Sequence, residues 1–76
     1  MVQTSVITIL SWIANVPAHE ISPSTYLRED LEMDSLDLTL CIARLERFFN
    51  VVFSNEQIEE IETVADVSDC IELQLA

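Results

Sequence analysis

A serine between two aspartates is the part of this 76-residue sequence best suited to chemistry. Asp34, Ser35 and Asp37 lie where a polar connection changes into a long apolar pattern, so the serine falls at the start of a predicted helix. Asp34 is a suitable N-cap residue, and Asp37 places negative charge in the first turn, where the helix dipole favours it. The Ser35 hydroxyl therefore either takes part in capping or serves as a point of attachment.

The residues needed for catalysis by Ser35 are missing. A nucleophilic serine requires a base held by an orienting acid, and the only histidine, His19, lies in the connection between Pro17 and Pro23. The sequence contains no glycine, which excludes the Gly-x-Ser-x-Gly turn of serine hydrolases. One histidine and scattered carboxylates specify no metal site. We therefore predict that the protein is not an enzyme and has no metal ligands.

The position of Ser35 suits an attachment point better. A phosphate esterified there would lie at a helix N-terminus, where free backbone N–H groups and the helix dipole favour an anion. The hydroxyl would be held on a rigid element and still be open to a modifying enzyme. Asp34 could help to hold a divalent cation during phosphoryl transfer.

Composition indicates one small acidic domain, and we expect residues 1–76 to form it as a monomer. Fourteen acids against three arginines and no lysine give a net charge of −11. This charge disfavours nucleic acid and anionic membranes as partners and favours basic protein surfaces. Cys41 and Cys70 have no metal-ligand spacing, and two thiols do not form the disulfide framework of a small secreted domain. We therefore expect a reducing compartment, the cytoplasm.

The apolar run over residues 6–16 is predicted to be a helix of the domain and not a targeting segment. No Lys or Arg precedes this run, and Thr8, Ser11 and Asn15 interrupt it. It is also too short to span a membrane, so we expect no membrane insertion.

Apolar periodicity predicts an all-α fold: a small four-helix bundle with three main helices, one short helix and a long first loop. The first helix is predicted over residues 4–15, and its inward stripe consists of Val6, Ile7, Leu10, Ile13 and Ala14. The loop follows over residues 16–33. Four of its side chains are predicted to hold it across the helices: Ile21, Tyr26, Leu27 and Leu31.

The remaining helices are predicted from their start and stop signals. The second begins at Asp34 or Ser35 and ends at Phe49, with Asn50 as a left-handed stop. Capping boxes at Ser54 and Thr63 open a short third helix to about residue 60 and a fourth to about residue 75. The core face of the second helix consists of Leu38, Ile42, Leu45 and Phe49. The core face of the fourth consists of Val64, Val67, Ile71 and Leu75.

An apolar stripe is predicted on the outer face of the second helix, where Leu36, Leu40, Ala43 and Arg47 come together. Such a stripe beside an attachment site is typical of a docking surface. The alternative is that the third helix or the long loop covers part of it.

Three segments of the sequence together resemble the acyl carrier proteins: YLREDLEMDSLDL (26–38), RLERFFNVVF (44–53) and IETVADVSDCIE (61–72). They contain Asp-Ser-Leu at 34–36, Leu-Glu-x-x-Phe at 45–49 and Thr-Val-x-Asp at 63–66. Asp-Ser-Leu by itself is weak evidence, because these three residues are common. The order and spacing of all three motifs over nearly the whole chain carry the resemblance.

The resemblance implies that Ser35 accepts 4′-phosphopantetheine from coenzyme A. A phosphopantetheinyl transferase would attach it and recognise Asp34 and Leu36 beside the serine. The thiol of the arm would then carry acyl groups as thioesters between acyl-loading, ketosynthase and acyltransferase-type enzymes. An acyl chain would lie in a pocket lined by residues that match the family: Leu27, Leu31, Leu45, Phe49, Phe53, Ile58, Ile61 and Ile71.

Two features depart from the family pattern. Glu32 stands where a glycine usually precedes the Asp-Ser pair, and Leu40 stands where fatty-acid carriers have an acid. Arg44 and Arg47 further reduce the acidity of the second helix. The resulting docking face consists of Leu36, Asp37, Leu40, Ala43, Arg44 and Arg47.

This altered face predicts a carrier for a specialised pathway, such as a polyketide, an unusual lipid or another secondary metabolite. The first alternative is a general carrier of fatty-acid synthesis. The second is a helical interaction module without the arm, in which the apolar stripe is the whole function.

Overall fold

The computed structural model describes residues 2–76 of the chain. Helix α1 spans Val2–Ala14, a 3₁₀ turn spans Ala18–Glu20, and helices α2, α3 and α4 span Ser35–Phe49, Asn55–Glu60 and Val64–Leu75. Over the described range the only β pairing is an isolated bridge between Tyr26 and Thr63. The predicted all-α fold of three long helices and one short helix is thus confirmed.

Three of the helices begin at the predicted capping residues. Asp34, Ser54 and Thr63 each accept a hydrogen bond from the backbone N–H of the third residue of their helix, at 2.8, 3.1 and 3.2 Å. In each case the side chain of that third residue accepts a bond from the backbone of the cap residue. These reciprocal bonds satisfy N–H groups that a helix start would otherwise leave free.

Three residues with left-handed backbone shape the connections. Asn50, with φ of 57°, ends α2 as predicted. Asn15, with φ of 58°, ends α1 one residue earlier than predicted, since a residue with positive φ cannot continue a right-handed helix. Glu32 has φ of 55°. The chain therefore keeps at Glu32 a conformation that a glycine adopts most readily, although glutamate carries a Cβ.

The core lies where α1 packs against α2 and α4. Its most deeply buried side chains come from all three long helices, and the loop adds Leu27. These residues are Val6, Leu10, Leu27, Cys41, Leu45, Val64, Val67 and Ile71. No helix within residues 2–76 is long and apolar enough to cross a membrane.

Leu75 was predicted to face the core and is exposed, so that prediction was wrong; Tyr26, predicted to hold the loop across the helices, is exposed as well. Tyr26 is 43% exposed, and the backbone bonds that fasten the loop at this point belong to its neighbours Thr25 and Leu27. Leu75 is 52% exposed, because it lies one turn beyond Ile71, the last fully buried residue of α4. Several other predicted core residues lie at the edge of the core and are half-buried: Ile7, Ile13, Ala14, Leu38 and Phe49.

The long loop is fastened to the junction between α3 and α4. The backbone N–H of Leu27 donates to the Glu62 carbonyl oxygen at 2.9 Å, and that of Val64 donates to the Thr25 carbonyl oxygen at 3.1 Å. The Leu27 carbonyl oxygen in turn accepts from the Met33 N–H at 3.1 Å. These bonds hold the middle of the loop between the α3–α4 junction and the start of α2.

Candidate functional site

Ser35 is the first residue of α2, and its side chain is exposed. The Asp34 carboxylate accepts from the Asp37 N–H at 2.8 Å, and the Asp37 carboxylate accepts from the Asp34 N–H at 3.3 Å. Capping is therefore done by the two aspartates. Among the described residues the Ser35 hydroxyl has no hydrogen-bond partner, so it takes no part in the capping.

A cavity of about 380 Å³ adjoins Ser35 between α2 and the region of α3. This volume lies within the range of about 300–1,000 Å³ that is typical of small-molecule sites. Its walls are mainly apolar. They are formed by Leu38, Ile42 and Ala43 of α2, by Ile58 of α3 and by Ile61 just after it.

Three polar residues that were not predicted also line the cavity: Arg28, Thr39 and Glu46. The Thr39 hydroxyl donates to the Ser35 carbonyl oxygen at 2.9 Å, and the Glu46 carboxylate accepts from the Phe53 N–H at 2.9 Å. Spacing could have identified Thr39, because residues four apart share a helix face. No signal in the sequence points to Arg28, whose position depends on how the loop folds.

The structure brings two of the eight residues predicted for an acyl pocket to this cavity. These two are Ile58 and Ile61. Phe49 is half-buried against the core, and the other five lie within the core: Leu27, Leu31, Leu45, Phe53 and Ile71. The cavity thus lies beside the packed core, on the α3 side of α2.

The predicted docking residues lie mostly on open surface. Leu36 is 71% exposed and Leu40 is 46% exposed, so neither α3 nor the loop covers them. Arg44 and Arg47 are exposed as well. The other two residues have further contacts, since Ala43 lines the cavity and Asp37 belongs to the capping box.

The two cysteines are unpaired and poorly suited to act as thiolates. Burial raises the pKa of Cys41 to about 12. The pKa of Cys70 is also raised, first by burial and then by nearby acids that include Asp66 and Asp69. Within residues 2–76 no group of three or more His, Cys, Asp or Glu side chains could hold a metal ion.

Comparison with known proteins identifies the family. The family described as phosphopantetheine attachment site matches residues 4–71. An acyl carrier protein of Coprothermobacter proteolyticus is 42% identical over 67 residues, covering 88% of this chain and 82% of the relative. An acyl carrier protein of Phytoplasma australiense is 36% identical over 76 residues, the full length of both chains.

A solved structure supports the same assignment. A proposed acyl carrier protein from Mycobacterium tuberculosis superposes with a TM-score of 0.90 at 26% identity, covering 97% of this chain and 99% of the other. Members of this family are carriers and not enzymes, and their cofactor is covalently attached 4′-phosphopantetheine. The sequence matches and the shared all-helical fold show that this chain belongs to the acyl carrier protein family.

Proposed function

We propose that Ser35 is the residue that carries the 4′-phosphopantetheine arm. The observation that carries this proposal is the reciprocal capping by Asp34 and Asp37, which leaves the Ser35 hydroxyl exposed and without a hydrogen-bond partner among the described residues. A phosphopantetheinyl transferase would reach the hydroxyl from solvent and recognise Asp34 and Leu36 on either side of it.

The surroundings of Ser35 fit such an arm. When attached, the arm supplies a terminal thiol on which acyl groups travel as thioesters. The apolar walls beside Ser35, which include Leu38, Ile42, Ile58 and Ile61, would shield part of an acyl chain from water. A longer chain would reach the deeper predicted pocket residues, such as Leu45 and Ile71, only if α3 moved away from α2.

The test of the attachment site is intact mass after incubation with coenzyme A, Mg²⁺ and a broad-specificity phosphopantetheinyl transferase. We expect one added phosphopantetheine on the wild-type chain and on Ser24→Ala, which removes another exposed hydroxyl. Ser35→Ala should gain no mass and keep the helical circular dichroism of the wild type. A wild-type chain that stays unmodified with several transferases would contradict the proposal.

We further propose that the carrier serves a specialised pathway, such as polyketide, unusual lipid or other secondary-metabolite synthesis. Support comes from the outer face of α2, where Leu36 and Leu40 are exposed beside Arg44 and Arg47. A partner that fits this face would present apolar contacts and at least one acidic group. A buried leucine at such an interface can contribute about 2 kcal/mol or more, whereas rim charges mainly alter on-rates and salt dependence.

The pathway proposal is tested with Leu40→Glu. This change should weaken acyl loading or transfer by the native partner enzyme and improve it with a general fatty-acid synthesis enzyme. Leu73→Glu is the matched control, because Leu73 is 75% exposed on α4 and gains the same charge away from the docking face. If the wild-type chain serves general fatty-acid enzymes as well as their own carrier does, the alternative of a general carrier is correct.

We also propose that residues 1–76 act as one carrier domain, monomeric and in the cytoplasm. The core shared by α1, α2 and α4 supports the single domain, and the two free cysteines support a reducing compartment. Its partners would be acyl-loading, ketosynthase and acyltransferase-type enzymes. Light scattering coupled to size exclusion should give the mass of one chain, and a mass twice as large would overturn the monomer.

A further inference from the structure

Arg28 lines the same cavity as Ser35. Of the three arginines in the chain it alone lines this cavity; its side chain is exposed, as are those of Arg44 and Arg47 on α2. The only ion pair within residues 2–76 joins His19 and Glu20, so the Arg28 guanidinium has no carboxylate partner there. A cation of this kind is available to an anion that arrives in the cavity.

Backbone bonds on two sides fasten the peptide that leads into Arg28. The Leu27 carbonyl, which belongs to the peptide leading into Arg28, accepts from the Met33 N–H at 3.1 Å, two residues before Ser35. On the other side, the Leu27 N–H donates to Glu62 at 2.9 Å, next to Ile61 of the cavity wall. The peptide that leads into Arg28 is thus held by backbone bonds between Met33, before α2, and the α3–α4 junction.

The charges near Ser35 show why a cation matters there. Asp34 and Asp37 place two carboxylates at the start of α2, and a phosphodiester on Ser35 would add a third negative group beside them. Glu46 also lines the cavity, but it lies eleven residues along α2, roughly 16 Å from Ser35 at 1.5 Å per residue. Arg28 is the only arginine that lines the cavity, so it is the cation there that can oppose this negative charge.

We propose that Arg28 is a positioning residue that pairs with the phosphodiester of the arm on Ser35. The inference rests on the proposed attachment at that serine. A guanidinium presents a planar set of N–H donors that matches phosphate oxygens, which makes arginine well suited to this contact. The contact would hold the first part of the arm over the cavity between α2 and α3 and so direct the cargo toward its apolar walls.

The experiment compares unmodified and modified forms of four chains: wild type, Arg28→Met, Arg28→Lys and Gln3→Glu. Gln3→Glu is the charge control, because Gln3 is exposed on α1 and the change lowers the net charge by one, as Arg28→Met does. For each chain we measure the melting temperature of the modified form minus that of the unmodified form at low ionic strength. The ³¹P chemical shift of the phosphodiester is recorded as a second readout.

We expect Arg28→Met to lower this difference by about 2–6 °C relative to wild type and to move the ³¹P resonance. Arg28→Lys should retain most of the wild-type difference in melting temperature between the modified and unmodified forms, and Gln3→Glu should retain all of it. The effect of Arg28→Met should shrink as salt is added, because salt screens a solvent-exposed ion pair. Circular dichroism of the unmodified Arg28→Met chain verifies that the fold is intact.

Other results would overturn the inference. If Arg28→Met leaves both the melting-temperature difference and the ³¹P chemical shift unchanged, Arg28 does not contact the phosphodiester. The proposed attachment at Ser35 would still stand in that case. If Gln3→Glu lowers the melting-temperature difference as much as Arg28→Met does, the effect is due to net charge. An effect confined to malonyl-loaded protein, and missing from acetyl-loaded and unloaded forms, would assign Arg28 to a carboxylated cargo. A wild-type chain that accepts no arm removes both proposals.

Discussion

Helix α2 is packed tightly on one side and loosely on the other. Toward α1 and α4 it contributes Cys41 and Leu45 to a core in which Leu10 and Ile71 are also fully buried. Toward α3 it borders a cavity of about 380 Å³. No residue of α3 is buried, and its Ile58 is 37% exposed. We propose that one side of α2 holds the fold together, while the other side can open to cargo without unfolding the protein.

Helix length explains part of this difference. Helix α3 has six residues, and helices this short are unstable unless other parts of the protein hold them. The Ser54 capping box fastens its start, and Ile61 packs half-buried against the core just after its end. The three long helices have room for several inward positions each, so their packing is cooperative.

The largest expected effect is that of truncating Leu45, which is completely buried. Leu45→Ala should lower the free energy of unfolding by about 2–5 kcal/mol, because it removes apolar contacts and leaves a cavity. The total stability of a chain of this size is roughly 4–11 kcal/mol, so the variant would be marginal. Urea unfolding followed by circular dichroism measures the change.

Ile58→Ala is the matched control, since it removes a side chain of similar size from the α3 side. Because Ile58 is partly exposed and borders the cavity, we expect this change to lower the free energy of unfolding by about 1 kcal/mol or less. Equal losses in the two variants would show that α3 is packed as firmly as the core.

The capping residues of α3 and α4 allow a second comparison of the two sides. Thr63→Ala should cost about 1 kcal/mol of global stability, because α4 belongs to the core. Ser54→Ala should instead speed amide hydrogen exchange mainly within α3, with a smaller change in global unfolding. Hydrogen exchange read residue by residue separates the two effects. Uniform loss of protection in Ser54→Ala would contradict a locally opening α3.

Ser68, on the buried face of α4, is a weak point within the core. Its side chain is 2% exposed, and its hydroxyl has no hydrogen-bond partner among the described residues. An unpaired buried hydroxyl is costly, and alanine favours helix, so Ser68→Ala should raise the free energy of unfolding by about 1 kcal/mol. Thermal unfolding measures this as a higher Tm. A destabilised variant would indicate that the hydroxyl is paired in solution.

The smallest expected effect concerns Asp66, at the start of α4. Hydrogen bonds from the backbone N–H groups of Glu62 and Thr63 hold the pKa of its carboxyl below the ordinary value of 3.8. A carboxyl with a lowered pKa in the folded state stabilises the fold above its unfolded pKa, and this contribution is lost as pH falls through the folded pKa. Asp66→Asn should therefore flatten the fall in Tm below about pH 4.

Asp69→Asn is the control for this prediction, because Asp69 is exposed on the same helix. Its Tm should keep most of the wild-type dependence on acid. If Asp66→Asn and Asp69→Asn flatten the fall in Tm at low pH equally, the backbone bonds to Asp66 do not contribute to stability in the expected way.

The sequence by itself determined where α2, α3 and α4 begin, while α1 begins at Val2, two residues before its predicted start. Asp34, Ser54 and Thr63 were identified correctly because a capping box joins residues only three apart, so the signal is local. The Asn50 stop is local for the same reason. The prediction that Ser35 is an attachment point also used only its immediate neighbours and the motifs around it.

Tertiary structure alone decided which predicted side chains meet. Tyr26 and Leu75 fit apolar patterns but are exposed, because burial depends on whether another element packs over a residue. The cavity at Ser35 also joins distant parts of the chain, since Arg28 and Ile61 reach it from the loop and from the end of α3. Their approach depends on backbone bonds such as that from Leu27 to Glu62, across 35 residues of sequence. Periodicity and capping describe neighbours along one helix and carry no information about contacts at that range.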